Sequence, residues 1–156
     1  MILEGGLRKP EREAIKINDS KFWNEDDLNI ELRRQFDVCH SCRRCFNLCD
    51  SFPKLFDLID ESPSMELDTV ETSSFKNVVD ACTICDMCFM VSCPYVPPHE
   101  FAIDIPSIFI RYKAIENKKQ NNLVDSQIAK TDFNGKFGVL FSIVINFVLN
   151  KKRIVF

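Results

Sequence analysis

The chain has 156 residues, a net charge of −3, 28% charged residues and only four glycines. That length suits one domain. The mild acidity argues against a phosphate-binding nucleic-acid partner, which normally meets a basic surface, and the scarcity of glycine argues against strand-and-turn architectures, so an all-α fold is expected.

The first nine residues, Met1 to Lys9, lack the apolar stretch of a secretion signal. A cytoplasmic location is therefore expected, or one at the inner face of the cell membrane, where thiols stay reduced and can bind metal. Residues 1–20 read as an irregular polar arm, with Gly5, Gly6 and Pro10. The arm is either loose or packed on a partner or on the domain that follows.

A helix is expected from Asn24 to Phe36. Asn24 supplies the cap and Leu28, Leu32 and Phe36 supply an apolar stripe. Arg33 and Arg34 near its end suit the negative pole of the helix dipole. The first cysteine run follows as a loop: Cys39-x2-Cys42-x2-Cys45-x3-Cys49. Arg43 and Arg44 place cations between its thiols, and Phe46 and Leu48 are expected to shield them from water.

Phe52 to Ile59 reads as a short apolar helix and Glu61 to Asp68 as a polar turn. Thr72 or Ser73 can then cap a second long helix through Phe75, Val78, Val79 and Cys82. The second run is Cys82-x2-Cys85-x2-Cys88-x4-Cys93, followed by Pro94. Helix, three-cysteine loop and outlying fourth cysteine thus occur twice, as an internal duplication would leave them. Met87, Phe89, Met90 and Val91 are expected to form an apolar shell, and Pro94, Pro97 and Pro98 an extended exit.

Asp104-Ile105-Pro106 opens another helix, with Ile108, Phe109, Tyr112 and Ile115 on its apolar face. Lys118 to Asn122 is a polar linker. Phe137 to Leu149 is apolar nearly all round and precedes Lys151, Lys152 and Arg153. It is shorter than the ~20 residues a membrane span needs. Three readings stay open: packing on the cysteine domain, an interface for another subunit or a downstream region of a longer chain, or peripheral membrane contact through residues 137–153. The expected division is an arm over 1–20, a cysteine domain over 21–118, and a linker with an apolar C-terminal helix over 119–156.

The two runs use all eight cysteines. A cubane 4Fe–4S cluster takes four thiolates. In two-cluster ferredoxins three come from a Cys-x2-Cys-x2-Cys loop and the outlying fourth Cys serves the other cluster. The spacing therefore predicts one cluster on Cys39, Cys42, Cys45 and Cys93, and a second on Cys82, Cys85, Cys88 and Cys49. Two departures stand out: Asp50 rather than proline follows Cys49, and four residues rather than three precede Cys93. Structural zinc is the competing cofactor. It normally uses paired cysteine knuckles set well apart, which leaves the third closely spaced cysteine of each run without a role. A disulfide framework lacks the secretory context it needs. His40 and His99 are candidates for a hydrogen bond to a cluster sulfur rather than for ligation.

The stretch from Leu3 to about Lys113 resembles iron–sulfur proteins related to the C subunit of anaerobic glycerol-3-phosphate dehydrogenase and to heterodisulfide reductase. The likeness is carried by Phe36 to Asp50, by Cys85-Asp86-Met87-Cys88-Phe89 and by Cys93 to Glu100. It implies a helical domain with two 4Fe–4S clusters, similar to that of succinate dehydrogenase iron–sulfur subunits. Longer members add cysteine-rich repeats with a Cys-Cys-Gly core. No cysteine follows Cys93 here, so the likeness implies electron transfer without a substrate site. No Ser-His-Asp set, glycine-rich phosphate loop or acid pair suggests a self-contained catalytic centre. The expected role is a non-catalytic relay in an oxidoreductase system, with a redox protein or oxidoreductase subunit as partner. The alternatives are a catalytic subunit active only in a complex or longer chain, and a cluster-stabilised interaction module.

Overall fold

Asn24 lies in extended backbone, and its side-chain oxygen accepts from the Asp27 amide at 3.0 Å. That bond satisfies one of the free donors of a first helical turn. Glu25, Asp26 and Asp27 add negative charge at the positive end of the dipole. In the computed structural model, which describes residues 9–120 and 123–149, helix α1 then runs from Glu25 to Cys42. Leu28, Leu32 and Phe36 are buried along one face.

The helix continues past Phe36, where the sequence pattern stopped, and carries Cys39 and Cys42 on its last turn rather than in a loop. Arg33 and Arg34 are consequently not at the helix end. Arg33 donates to Leu67 O at 2.9 Å, Val70 O at 2.7 Å and Thr72 Oγ1 at 2.7 Å. Arg34 binds Glu31 and donates to Phe101 O at 2.8 Å. Both side chains tie distant loops to α1 and neither caps it.

Helix α2, Ser51–Asp60, buries Phe52, Leu55, Phe56 and Ile59, the spacing of one helical face. The Ser51 hydroxyl donates to Val78 O at 2.8 Å and fixes α2 against α3, Phe75–Asp80. Helix α3 has only six residues, follows a 3₁₀ turn over Thr72–Ser74, and has no side-chain cap. The expected long second helix therefore stops at Asp80, and Cys82 lies beyond it. The internal repeat holds for the cysteines but not for the helices that precede them.

Helix α4, Ile105–Gln120, starts as its sequence indicates. Asp104 Oδ1 accepts from the Ser107 amide at 3.1 Å, and Pro106 occupies the first turn, where no amide donor is needed. Ile105, Ile108, Phe109 and Ile115 are buried. Phe36 joins three helices: its ring meets Phe75 edge-on at 5.1 Å and Phe109 at 5.9 Å. Between Cys93 and α4 the chain does not exit extended. It folds into successive turns, His99 N to Val96 O and Ala102 N to His99 O, both at 2.9 Å, with Pro97–Pro98 cis.

The described part of the arm is exposed but tethered. Glu11 N donates to Pro97 O at 3.0 Å, and Arg12 is bound to Asp86 and Asp104. Gly5 and Gly6 lie outside the described residues.

The chain divides into two units, Met1–Glu116 and Asn117–Phe156. In the second, α5 covers Leu123–Ala129, α6 Thr131–Leu140 and α7 Ser142–Leu149. The apolar run from Phe137 is therefore two helices broken at Phe141, not one. Val139 and Leu140 are each 77% exposed. No helix among the described residues is long and apolar enough to cross a membrane. Lys151, Lys152 and Arg153 lie outside the described residues. Among those described, all regular structure is helical and the chain is all-α.

Phe36 is fully buried, whereas Ile30 on the same helix is 70% exposed. Phe36→Ala should cost about 3–5 kcal/mol, and Ile30→Ala should stay within about 0.5 kcal/mol. Chemical denaturation of the two variants distinguishes these outcomes.

Candidate metal centre

The first cysteine run is shaped by the end of α1. Cys39 and Cys42 stand one turn apart, and Arg43 then takes a left-handed conformation, φ 50°, its amide donating to Cys39 O at 2.8 Å. This reverses the chain into a turn closed by Leu48 N to Cys45 O at 2.9 Å, and Cys49 leads into α2.

The second run is built differently. Cys82 follows α3, and the chain to Cys88 includes Ile84 at φ 56° and Asp86 at φ 64°. The left-handed region is uncommon for any side chain and rare for a β-branched one. It lets the Ile84 amide point at Cys82 Sγ, 3.4 Å away. Cys88–Ser92 forms one π-helical turn, closed by Cys93 N to Cys88 O at 2.8 Å. A five-residue hydrogen-bond step absorbs the residue that makes this run longer than its counterpart.

The eight sulfurs fall into two cavities. One is lined by Cys39, Cys42, Cys45 and Cys93, with Val38, Arg44, Phe56 and Tyr95 among its walls. The other is lined by Cys49, Cys82, Cys85 and Cys88, with Leu48, Asp86 and Ile105. Each cavity takes three cysteines from one run and one from the other. Phe52, buried, lines both and forms their common wall. A wider open groove along α2 and α3, with Lys54, Asp57 and Asn77, contains no cysteine.

Burial and facing sulfurs work against ionisation of these thiols. Burial, reinforced by Cys93, Cys45, Cys88 and Cys42, holds the Cys39 thiol well above its ordinary value. Burial with Cys45 and Cys82 nearby pushes Cys88 up to about 12. Cys93 is raised to about 11 by burial, partly offset by the Tyr95 amide. Burial also raises Cys45 and Cys82. The Ser92 hydroxyl, 3.4 Å from Cys45 Sγ, offsets the first shift and the Ile84 amide offsets the second. Arg44 acts favourably on Cys45 and Cys93. Lys113 does so on Cys82, whose carbonyl it also binds at 2.9 Å.

Four thiolates gathered in one partly buried site repel one another unless a cationic centre lies among them, and metal binding would release their protons. An all-sulfur donor set selects soft ions, zinc, copper(I) or an iron–sulfur cluster. Thiolates ~2.3 Å from one zinc would stand within ~4 Å of one another. Among the described residues no three His, Cys, Asp or Glu are placed to hold one ion. A cubane spreads its four thiolates over four irons and needs them farther apart. The four-cysteine donor set of each cavity fits such a cluster.

Several residues differ from their sequence expectation. Arg43 turns away from the sulfurs to Asp60 and lies 5.3 Å over the Phe56 ring, so of this arginine pair Arg44 is the one that acts on the thiols. Phe46 stacks on Phe56 in a half-exposed position, while Leu48 does line the second cavity. Of the expected apolar shell only Phe89 is buried; Met87, Met90 and Val91 are exposed. His40 meets Arg43 through Nδ1 at 2.9 Å, and His99 Nδ1 accepts from the Phe101 amide at 3.1 Å. Ser92, Lys113 and the shared wall Phe52 carried no sequence signal beyond ordinary polar or core residues.

Comparison with family models, with curated proteins and with solved structures finds no match.

In the folded, metal-free chain exposed Cys85 should alkylate first and Cys39 last. Cys88 and Cys93 should react faster as pH rises toward their raised values, since the thiolate is the nucleophile. Mass spectrometry of partly labelled protein reads this order, and equal labelling of Cys39 and Cys85 would contradict it.

Proposed function

We propose that this chain is an electron-transfer protein holding two 4Fe–4S clusters, one on Cys39, Cys42, Cys45 and Cys93 and the other on Cys49, Cys82, Cys85 and Cys88. One observation supports this above the rest: the eight sulfurs line two cavities, each with three cysteines from one run and one from the other. Its likeness to the iron–sulfur family named above points the same way, to a ferredoxin-type helical domain.

When bound, each cluster would supply a centre for one-electron oxidation and reduction. The chain's own residues position and insulate it. Phe52, Phe56 and Ile103 line the first cavity and Ile105 and Pro106 the second, limiting water on the inner side. Arg44 and Lys113 bring positive charge to Cys45, Cys93 and Cys82, which favours the more negative reduced state. The Ile84 and Tyr95 amides and the Ser92 hydroxyl donate toward sulfur, which acts in the same direction. Cys85 is exposed and offers an edge by which a redox protein or oxidoreductase subunit can approach.

Protein purified anaerobically should contain about eight iron and about eight sulfide per chain, and reduction should give two interacting paramagnetic centres. Stoichiometric zinc without sulfide would overturn the proposal. Cys49→Ala should damage the cluster of Cys82, Cys85 and Cys88 and leave the other comparatively intact. Damage confined to the cluster of Cys39, Cys42 and Cys45 would instead show that each run serves its own cavity.

A further inference from the structure

The arm makes a contact at Arg12 that the relay role does not require. The Arg12 guanidinium holds two carboxylates, each through two bonds. Nη1 and Nη2 donate to Asp86 at 2.9 and 2.8 Å, and Nε and Nη2 donate to Asp104 at 2.6 and 2.8 Å. Its carbon lies 3.9 Å from the centre of the buried Phe89 ring. Paired planar donors over an aromatic face are the geometry for which arginine, unlike lysine, is suited.

The two carboxylates belong to different elements. Asp104 caps α4 through Ser107, and its amide donates to Gln35 Oε1 of α1 at 3.0 Å. Asp86 lies between Cys85 and Cys88, in left-handed backbone, and lines the second cavity. Two non-glycine residues in that conformation, Ile84 and Asp86, make the loop dependent on outside restraint. A carboxylate beside a four-thiolate site also adds negative charge where an electron would arrive.

We infer that Arg12 is a positioning residue for the second cysteine loop: it locks the Cys85–Cys88 turn to the start of α4 and neutralises the Asp86 carboxylate beside the second cavity. The arm is thus a strap whose Arg12 serves one site and not the other. The clamp stands on geometry alone, whereas its effect on potential rests on the two-cluster proposal.

The test uses the full-length chain, purified anaerobically, with amide exchange and redox titration on the same samples. In Arg12→Gln, amides over residues 82–93 should exchange several-fold faster than in wild type. The reduction wave that disappears in Cys85→Ala should move to lower potential while the other wave stays. Arg12→Gln combined with Asp86→Asn should restore the potential but not the protection. Arg12→Lys keeps the charge without the fork, so it should hold the potential while exchange rises, and it serves if Arg12→Gln does not fold. Unchanged exchange over 82–93 overturns the clamp, and a loosened loop with unmoved or equally moved waves overturns the charge role. A wild-type chain without iron whose loop still loosens in Arg12→Gln upholds the clamp and counts against the cluster proposal alone.

Discussion

Eight thiols held together in two small cavities are a problem in electrostatics before they are a site. Every cysteine but the exposed Cys85 is partly buried beside others of its kind, and thiols are raised as far as about 12 at Cys88. Such an arrangement is unfavourable for the charged form unless a cationic centre offsets it. The surrounding fold can be understood as the means of assembling that arrangement. Helix α1 delivers Cys39 and Cys42 on its last turn, α2 begins just after Cys49, and the turns after Cys93 lead into α4.

Exchange of the fourth cysteine between cavities has a structural consequence. Neither run completes its own cavity, so the two halves of the cysteine domain depend on each other. The Phe36, Phe75 and Phe109 cluster makes the same connection through the apolar core. Phe52 belongs to both systems: it sits in that core and forms the wall between the cavities. The second unit contributes no cysteine.

The parts legible in the sequence were those set by local chemistry. Asn24 capped α1, Asp104 and Pro106 opened α4, and the α2 stripe from Phe52 to Ile59 marked its buried face. Cysteine spacing located every thiol that lines a cavity. Other features depend on groups far apart in the chain. Nothing near Arg12 announces Asp86 or Asp104, and nothing near Arg33 announces Leu67 and Val70. Left-handed backbone at Ile84 and Asp86 was hidden because neither is a glycine, the residue that normally signals it. The π turn after Cys88 could be suspected from the extra residue before Cys93 but not assigned. Helix α3 ended early because the loop to Cys85 requires the chain to leave helical geometry, which outweighs the apolar pattern through Val79.

The central claim is that each cavity holds a cluster with crossed ligation. Anomalous diffraction at the iron edge from crystals grown anaerobically tests it most directly. The account predicts two compact groups of iron, one bounded by Cys39, Cys42, Cys45 and Cys93 and the other by Cys49, Cys82, Cys85 and Cys88. Single isolated ions, or iron groups each bounded by the four cysteines of one run, would contradict it.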